Sequence, residues 1–197
     1  MAVSAGRLGI VSQAAYQVLA NVLFLFGLCG EPLSQTAQTI LPTLLDAGPK
    51  RSYEARRALK SLILLASSVC LVIGALSAFA MRYGTGIFTR DAAVRTAVQG
   101  CAPVVSLSVA LLVFTYAIDG SLLAAREFGF VIRLSVVTTV VQLSILSAVM
   151  NFQWSLSFIF LSLALRFWMF ALIAAVRTLS GIGPLGCSVR AKPHSVL

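Results

Sequence analysis

Charge is scarce in this chain. Of its 197 residues, 11% are charged and 59% are hydrophobic. Mean hydropathy is +0.96. Soluble domains hold about 25% charged and about 45–50% apolar residues. A soluble fold of this size keeps a wide outer skin in water, so it has nowhere to hide so much apolar surface. The same composition excludes intrinsic disorder. Acids are scarcer still, 6 against 15 Lys+Arg, for a net charge of +9. There is one histidine, His194, close to the C-terminus. No HExxH, no paired-carboxylate spacing, no GxSxG and no P-loop occurs. These gaps argue against an enzyme, including an intramembrane one, and imply no cofactor and no metal. Without a nucleotide site, any solute movement must run on an ion gradient or on the solute's own. The four cysteines, Cys29, Cys70, Cys101 and Cys187, share no metal-ligand or redox spacing. The first three sit in apolar runs and read as small core residues.

What is present is long apolar runs. A membrane-crossing helix takes about 20 such residues. Five stretches qualify, and the fold class is an all-α polytopic helix bundle. The expected spans are 9–45, 57–83, 99–123, 129–150 and 154–178, followed by a disordered tail over 181–197. Membrane β-strands are excluded, because these runs are too long and apolar on both parities. The first span carries Pro32 and Pro42 and is expected to be one long helix bent near Gly30–Pro32. Asp46-Ala-Gly-Pro49 is expected to stop it. A short interfacial helix is expected after Thr89. The Asn151-Phe-Gln-Trp154 segment separates the last two spans, with Trp154 at an interface.

Loop charge sets orientation. Lys50, Arg51, Arg56, Arg57, Lys60, Arg126, Arg133, Arg177, Arg190 and Lys192 fall on one side, and Arg7, Arg82, Arg90 and Arg95 on the other. The positive-inside rule puts the C-terminus inside and the N-terminus outside. This asymmetry explains the basic excess better than nucleic-acid binding does. Residues 1–9 lack the pattern of a secretory signal peptide.

Polar side chains at membrane depth are costly and mark function or pairing. At about 100° per residue, Gln13, Gln17, Asn21, Glu31, Gln35 and Gln38 fall in one stripe on the first helix. The stripe faces a solute-filled cavity or makes interhelical hydrogen bonds. Arg166 lies near the middle of the last span. It is read as a pocket cation for an anionic solute, as a counter-charge to Glu31 or Asp119, or as an arginine reaching an interface. Asp119 is read as an acid at a loop edge. Gly120 and Ala124 suit close helix packing.

Several segments resemble a known family. Ala14-Ala-Tyr-Gln-Val18 is similar to the AAHQV that opens the eighth helix of MATE (multidrug and toxic compound extrusion) transporters. Phe88-Thr-Arg-Asp91 resembles the segment after their ninth helix, and Ile118-Asp-Gly-Ser-Leu-Leu-Ala-Ala125 the one closing the tenth. Gly30-Glu-Pro-Leu-Ser-Gln-Thr-Ala-Gln38 resembles the plant plastid-envelope, enhanced-disease-susceptibility branch, linked to isochorismate and salicylate. The resemblance covers about residues 10–178. It implies the last five of twelve helices, which would put the start of this chain outside, as the loop charges do. It further implies a plastid-envelope membrane and secondary antiport or efflux of a small organic solute or xenobiotic, by rocking of two lobes. The alternative is a truncated or non-transporting membrane subunit. The implied partners are membrane lipid, a small organic solute that includes anions, and a coupling cation, H+ or Na+. Two departures stand out. Tyr16 replaces the usual histidine, and Pro103 to Ile118 contains none of the acids that many members use for cation coupling. The seven Gln13, Gln17, Asn21, Glu31, Gln35, Gln38 and Arg166 are the expected substrate-binding set.

Overall fold

The computed structural model describes residues 1–7, 9–45, 52–152 and 155–179. The described residues form eight helices in chain order. They are α1 (Ala2–Arg7), α2 (Ile10–Gly27), α3 (Glu31–Leu45), α4 (Ser52–Tyr83), α5 (Thr85–Phe88), α6 (Ala92–Ala124), α7 (Phe128–Asn151) and α8 (Leu156–Leu179). A 3-10 turn, Leu28–Gly30, joins α2 to α3. Five helical stretches are long and apolar enough to cross a membrane: Ile10–Leu45 taken whole, then α4, α6, α7 and α8. The chain is a multi-pass integral membrane protein.

The break in the first span has a local cause. An uninterrupted helix would bond the Leu28 carbonyl to the N–H of residue 32, and Pro32 has none. The Glu31 N–H takes that carbonyl instead, one residue short, which makes the turn 3-10. The 3-10 turn therefore sits just before the proline. It is pressed against α6: a Cβ on Gly27 would come 2.6 Å from Leu112, and one on Gly30 would come 2.7 Å from the Tyr116 ring.

Helix α6 is the hub, packing against α2, α3, α4 and α8, while α7 leans mainly on α8. Its start differs from the sequence expectation. The helix expected after Thr89 is present but not separate: α6 begins at Ala92 and runs unbroken into the apolar span, while a further short helix, α5, precedes Thr89. Asp91 caps it, accepting from the Ala93 N–H at 2.8 Å. This satisfies one of the orphan donors of the first turn and extends the helix ahead of its apolar span. At its other end α6 closes in a Schellman pattern. Arg126 adopts a left-handed φ of 61°, and the N–H groups of Arg126 and Glu127 reach back to Leu123 and Leu122.

Three apolar clusters fill the bundle. Leu19 and Val22 of α2 meet Val98 and Val105 of α6 and Phe160 of α8. Leu41 of α3 meets Leu59 of α4 and Val113 of α6. Ile118 and Leu122 of α6 meet Leu134 of α7 and Phe170 of α8. Hydroxyls supplement this packing: Ser108 donates to the Phe160 carbonyl at 3.2 Å, joining α6 to α8. Cys101 is buried and Cys70 partly so, but Cys29 is exposed, contrary to its reading as a core residue. The expected helix stop at 46–49, Lys50, Arg51, Trp154, Cys187, Arg190, Lys192, His194 and the expected tail lie outside the described residues.

Candidate solute-facing surface

On α2 the buried residues Ala15, Leu19 and Val22 face α6. By helical rotation, Gln13, Gln17 and Asn21 lie roughly opposite them, about 160° away for Gln17 against Leu19. All three amides are exposed, as are Glu31, Gln35 and Gln38 on α3. The stripe thus covers the side of the first span turned away from the bundle. On α3 two of its amides are tied along the helix: Gln38 donates to the Ser34 hydroxyl at 3.0 Å, and Gln35 reaches the Glu31 carboxylate at 3.5 Å.

The upper part of the stripe borders a cavity of about 480 Å³, lined among others by Gln13, Gln17, Phe88, Thr89 and Val94. Two of the segments that carry the family resemblance meet here, Ala14–Val18 and Phe88–Asp91. The other two meet lower down. Gly120 sits against Ser34 so closely that a Cβ would lie 2.6 Å from the serine's Cα, carbonyl oxygen and hydroxyl. Each pair is distant in sequence, and each is brought together by α6. Tyr16 is part of the packing: its ring stacks on Phe160, with centroids 5.7 Å apart.

Arg166 is held differently from the stripe. Its Nη1 donates to Oε1 of Gln142 on α7 at 3.1 Å. Gln142 is buried, and its amide nitrogen also lies 3.5 Å from the Met1 sulfur. The counter-group of Arg166 is therefore a neutral amide on the neighbouring helix, and the described contacts do not join it to Glu31 or Asp119. Sequence reading missed Gln142, although it is a polar residue at the centre of an apolar run, as the stripe residues are. Asp119 lies inside α6, several residues before its end, not at a loop edge. Its Oδ1 is shut off from solvent and has no hydrogen-bond partner among the described residues. No cluster of three metal-ligating side chains occurs among the described residues.

Over 118 residues the chain is 31% identical to Protein DETOXIFICATION 47, chloroplastic, of Arabidopsis thaliana. The match takes in 60% of this chain and 22% of the relative, so the chain spans well under half the length of that protein. No family model matches the chain. No solved structure matches it. DETOXIFICATION 47 is a MATE family member, and the chain is similar to the MATE family in its chloroplastic branch.

Proposed function

We propose that this chain works as part of a MATE-type secondary transporter that exports or antiports a small organic solute across a plastid-envelope membrane. One observation carries the reading. Three exposed amides, Gln13, Gln17 and Asn21, stand on a helix apolar enough to cross a membrane. Lipid does not solvate amides, so such a face turns to protein or to a water-filled cavity. On the similarity to a MATE member, we read that cavity as the space between two lobes, with this bundle as one wall. The lower stripe residues Glu31, Gln35 and Gln38 continue that wall. Arg166, in this reading, adds a cation for anionic solutes when its bond to Gln142 opens.

Coupling to a cation is part of the same proposal. A single enclosed carboxylate handles a proton more readily than it builds a sodium site, which needs several oxygen ligands. Asp119 has that character, with one oxygen buried and unpartnered.

The test is a chimera in which this chain replaces the matching segment of DETOXIFICATION 47, reconstituted in vesicles with a pH gradient. Uptake of one organic anion and one organic cation is measured against empty vesicles. The reading expects gradient-driven uptake that falls when Gln17→Leu or Asp119→Asn is introduced. A chimera that inserts, assembles and carries nothing would favour the non-transporting subunit.

A further inference from the structure

A second site lies on the opposite flank of α6, away from the amide stripe. At the C-terminal end of α4 a cavity of about 540 Å³ is lined by Ala78, Arg82, Tyr83, Gln99, Ala102 and Pro103. That volume is within the range of small-ligand sites. A shallower groove of about 340 Å³ runs on from it along the α4–α6 seam, past Gly74, Ala75, Leu71 and Leu107. The two share Ala78 and Pro103 and so adjoin, a polar end beside an apolar arm.

The polar end has unused chemistry. Arg82 is exposed in the last turn of α4, and among the described residues nothing pairs with its guanidinium. Gln99 gives its amide nitrogen to the Arg82 carbonyl at 3.1 Å and lies 3.5 Å from the Thr85 hydroxyl, which leaves its Oε1 as an acceptor. Pro103 has no N–H for the backbone carbonyl of residue 99, which frees a second acceptor at the same place. A cation beside two acceptors suits an anion that also carries hydroxyls.

The arm fits a hydrocarbon chain. Leu71 and Leu107 are exposed at its edges, as expected for a surface turned to lipid. From Arg82 to Leu71 the helix rises roughly 16 Å at 1.5 Å per residue. That is about half of the hydrocarbon thickness, the depth of one leaflet. The groove exists because Gly74 lets the helices close: a Cβ there would come 3.1 Å from Ala110.

We propose that the α4–α6 seam binds an anionic phospholipid with a hydroxylated headgroup, its phosphate on Arg82, its hydroxyls on Gln99 and one acyl chain along the groove. This site is separate from the solute-facing stripe and does not depend on it.

Native mass spectrometry of the purified chain in detergent tests this, with phosphatidylglycerol, phosphatidylcholine or water-soluble glycerol phosphate added. Phosphatidylglycerol is expected to be retained about five-fold over phosphatidylcholine, the effect of one basic residue at an anionic surface. Arg82→Gln should erase that preference and Arg82→Lys should keep most of it, which separates lost charge from lost fold. Ala75→Phe fills the groove and should lower phosphatidylglycerol retention. Equal retention of the two lipids by the unmodified chain overturns the proposal. So does an unchanged preference in Arg82→Gln, or unchanged retention in Ala75→Phe. Glycerol phosphate bound as tightly as the lipid would make this a soluble-anion site and also overturn it.

Discussion

Arg166 of α8 and Gln142 of α7 are partners, guanidinium Nη1 to amide Oε1 at 3.1 Å, between two membrane-spanning helices. Gln142 is buried and Arg166 half-buried. The amide therefore gives the arginine a polar neighbour where lipid or leucine would give none. Gln142→Leu is expected to lower stability by about 1–3 kcal/mol, the cost of stranding a buried donor. The double variant Gln142→Leu with Arg166→Met should recover most of that, because an apolar pair strands nothing. Unfolding of the purified variants in mixed micelles reads both. A neutral single variant would mean that Arg166 already finds water.

A second prediction concerns the close approach of α3 to α6. At Gly120 the atoms a side chain would strike include backbone atoms of Ser34, which cannot rotate away. Gly120→Ala is expected to push the helices apart and cost about 1–3 kcal/mol. Gly100 lies on the same helix with nothing within 4 Å of a Cβ. Gly100→Ala should be neutral or stabilise by up to about 1 kcal/mol through helix propensity. Melting temperatures of the two variants moving together, in either direction, would refute the packing role of Gly120.

A third prediction follows from the ion pair at the α6–α7 turn. Glu127 is buried and pairs with Arg177 of α8, whose guanidinium carbon also lies 4.2 Å from the centroid of the Phe130 ring. Arg177 is itself about a third exposed, 32%, so water screens part of the attraction. Glu127→Gln is expected to cost about 1–2 kcal/mol, between the values for surface and buried pairs. Limited proteolysis should then cut faster in the α6–α7 turn. Phe130→Leu should weaken the same end by less, about 0.5–1 kcal/mol. Cleavage of Glu127→Gln at the unmodified rate would show that the Schellman turn alone holds this end.

Much of the fold was legible in the sequence because the membrane enforces it. Only runs of about 20 apolar residues cross as helices, so counting them finds the bundle. The break in the first span was legible for a similar reason: Pro32 has no N–H for the Leu28 carbonyl, so the α-helical bonding must change there. Helix starts were harder. A helix is expected after Thr89, but hydropathy does not show that it runs unbroken into the apolar span, and its start is set by the capping aspartate, Asp91. The stripe was legible from helical rotation alone, because Gln13, Gln17 and Asn21 repeat every four residues. The partner of Arg166 was not, since the Gln142 contact crosses two helices and rests on how α7 leans on α8. The Arg82 cavity was not legible for the same reason, as its lining is assembled from α4 and α6.

The last prediction concerns what the exposed amides face. If they line water, cysteines placed there react with a membrane-impermeant maleimide. If they face lipid, they do not. In a background with Cys29, Cys70, Cys101 and Cys187 replaced by serine or alanine, Gln17→Cys and Asn21→Cys are expected to label in membranes. Leu71→Cys on α4, exposed but on an apolar flank, is the lipid-facing control and should stay unlabelled until detergent is added. The amide stripe can also be read through energetics. Gln17→Leu removes an amide from the hydrocarbon if the face meets lipid, so insertion and stability should rise. If the face lines a cavity, leucine is instead exposed to water, and stability should fall slightly or hold. The helix itself is indifferent, because Leu and Gln have similar propensities. Labelling of Gln17→Cys together with no gain in stability for Gln17→Leu is the outcome a solute-facing wall requires. Protection from maleimide with a clear gain would place the stripe against lipid and end the transport reading of these residues.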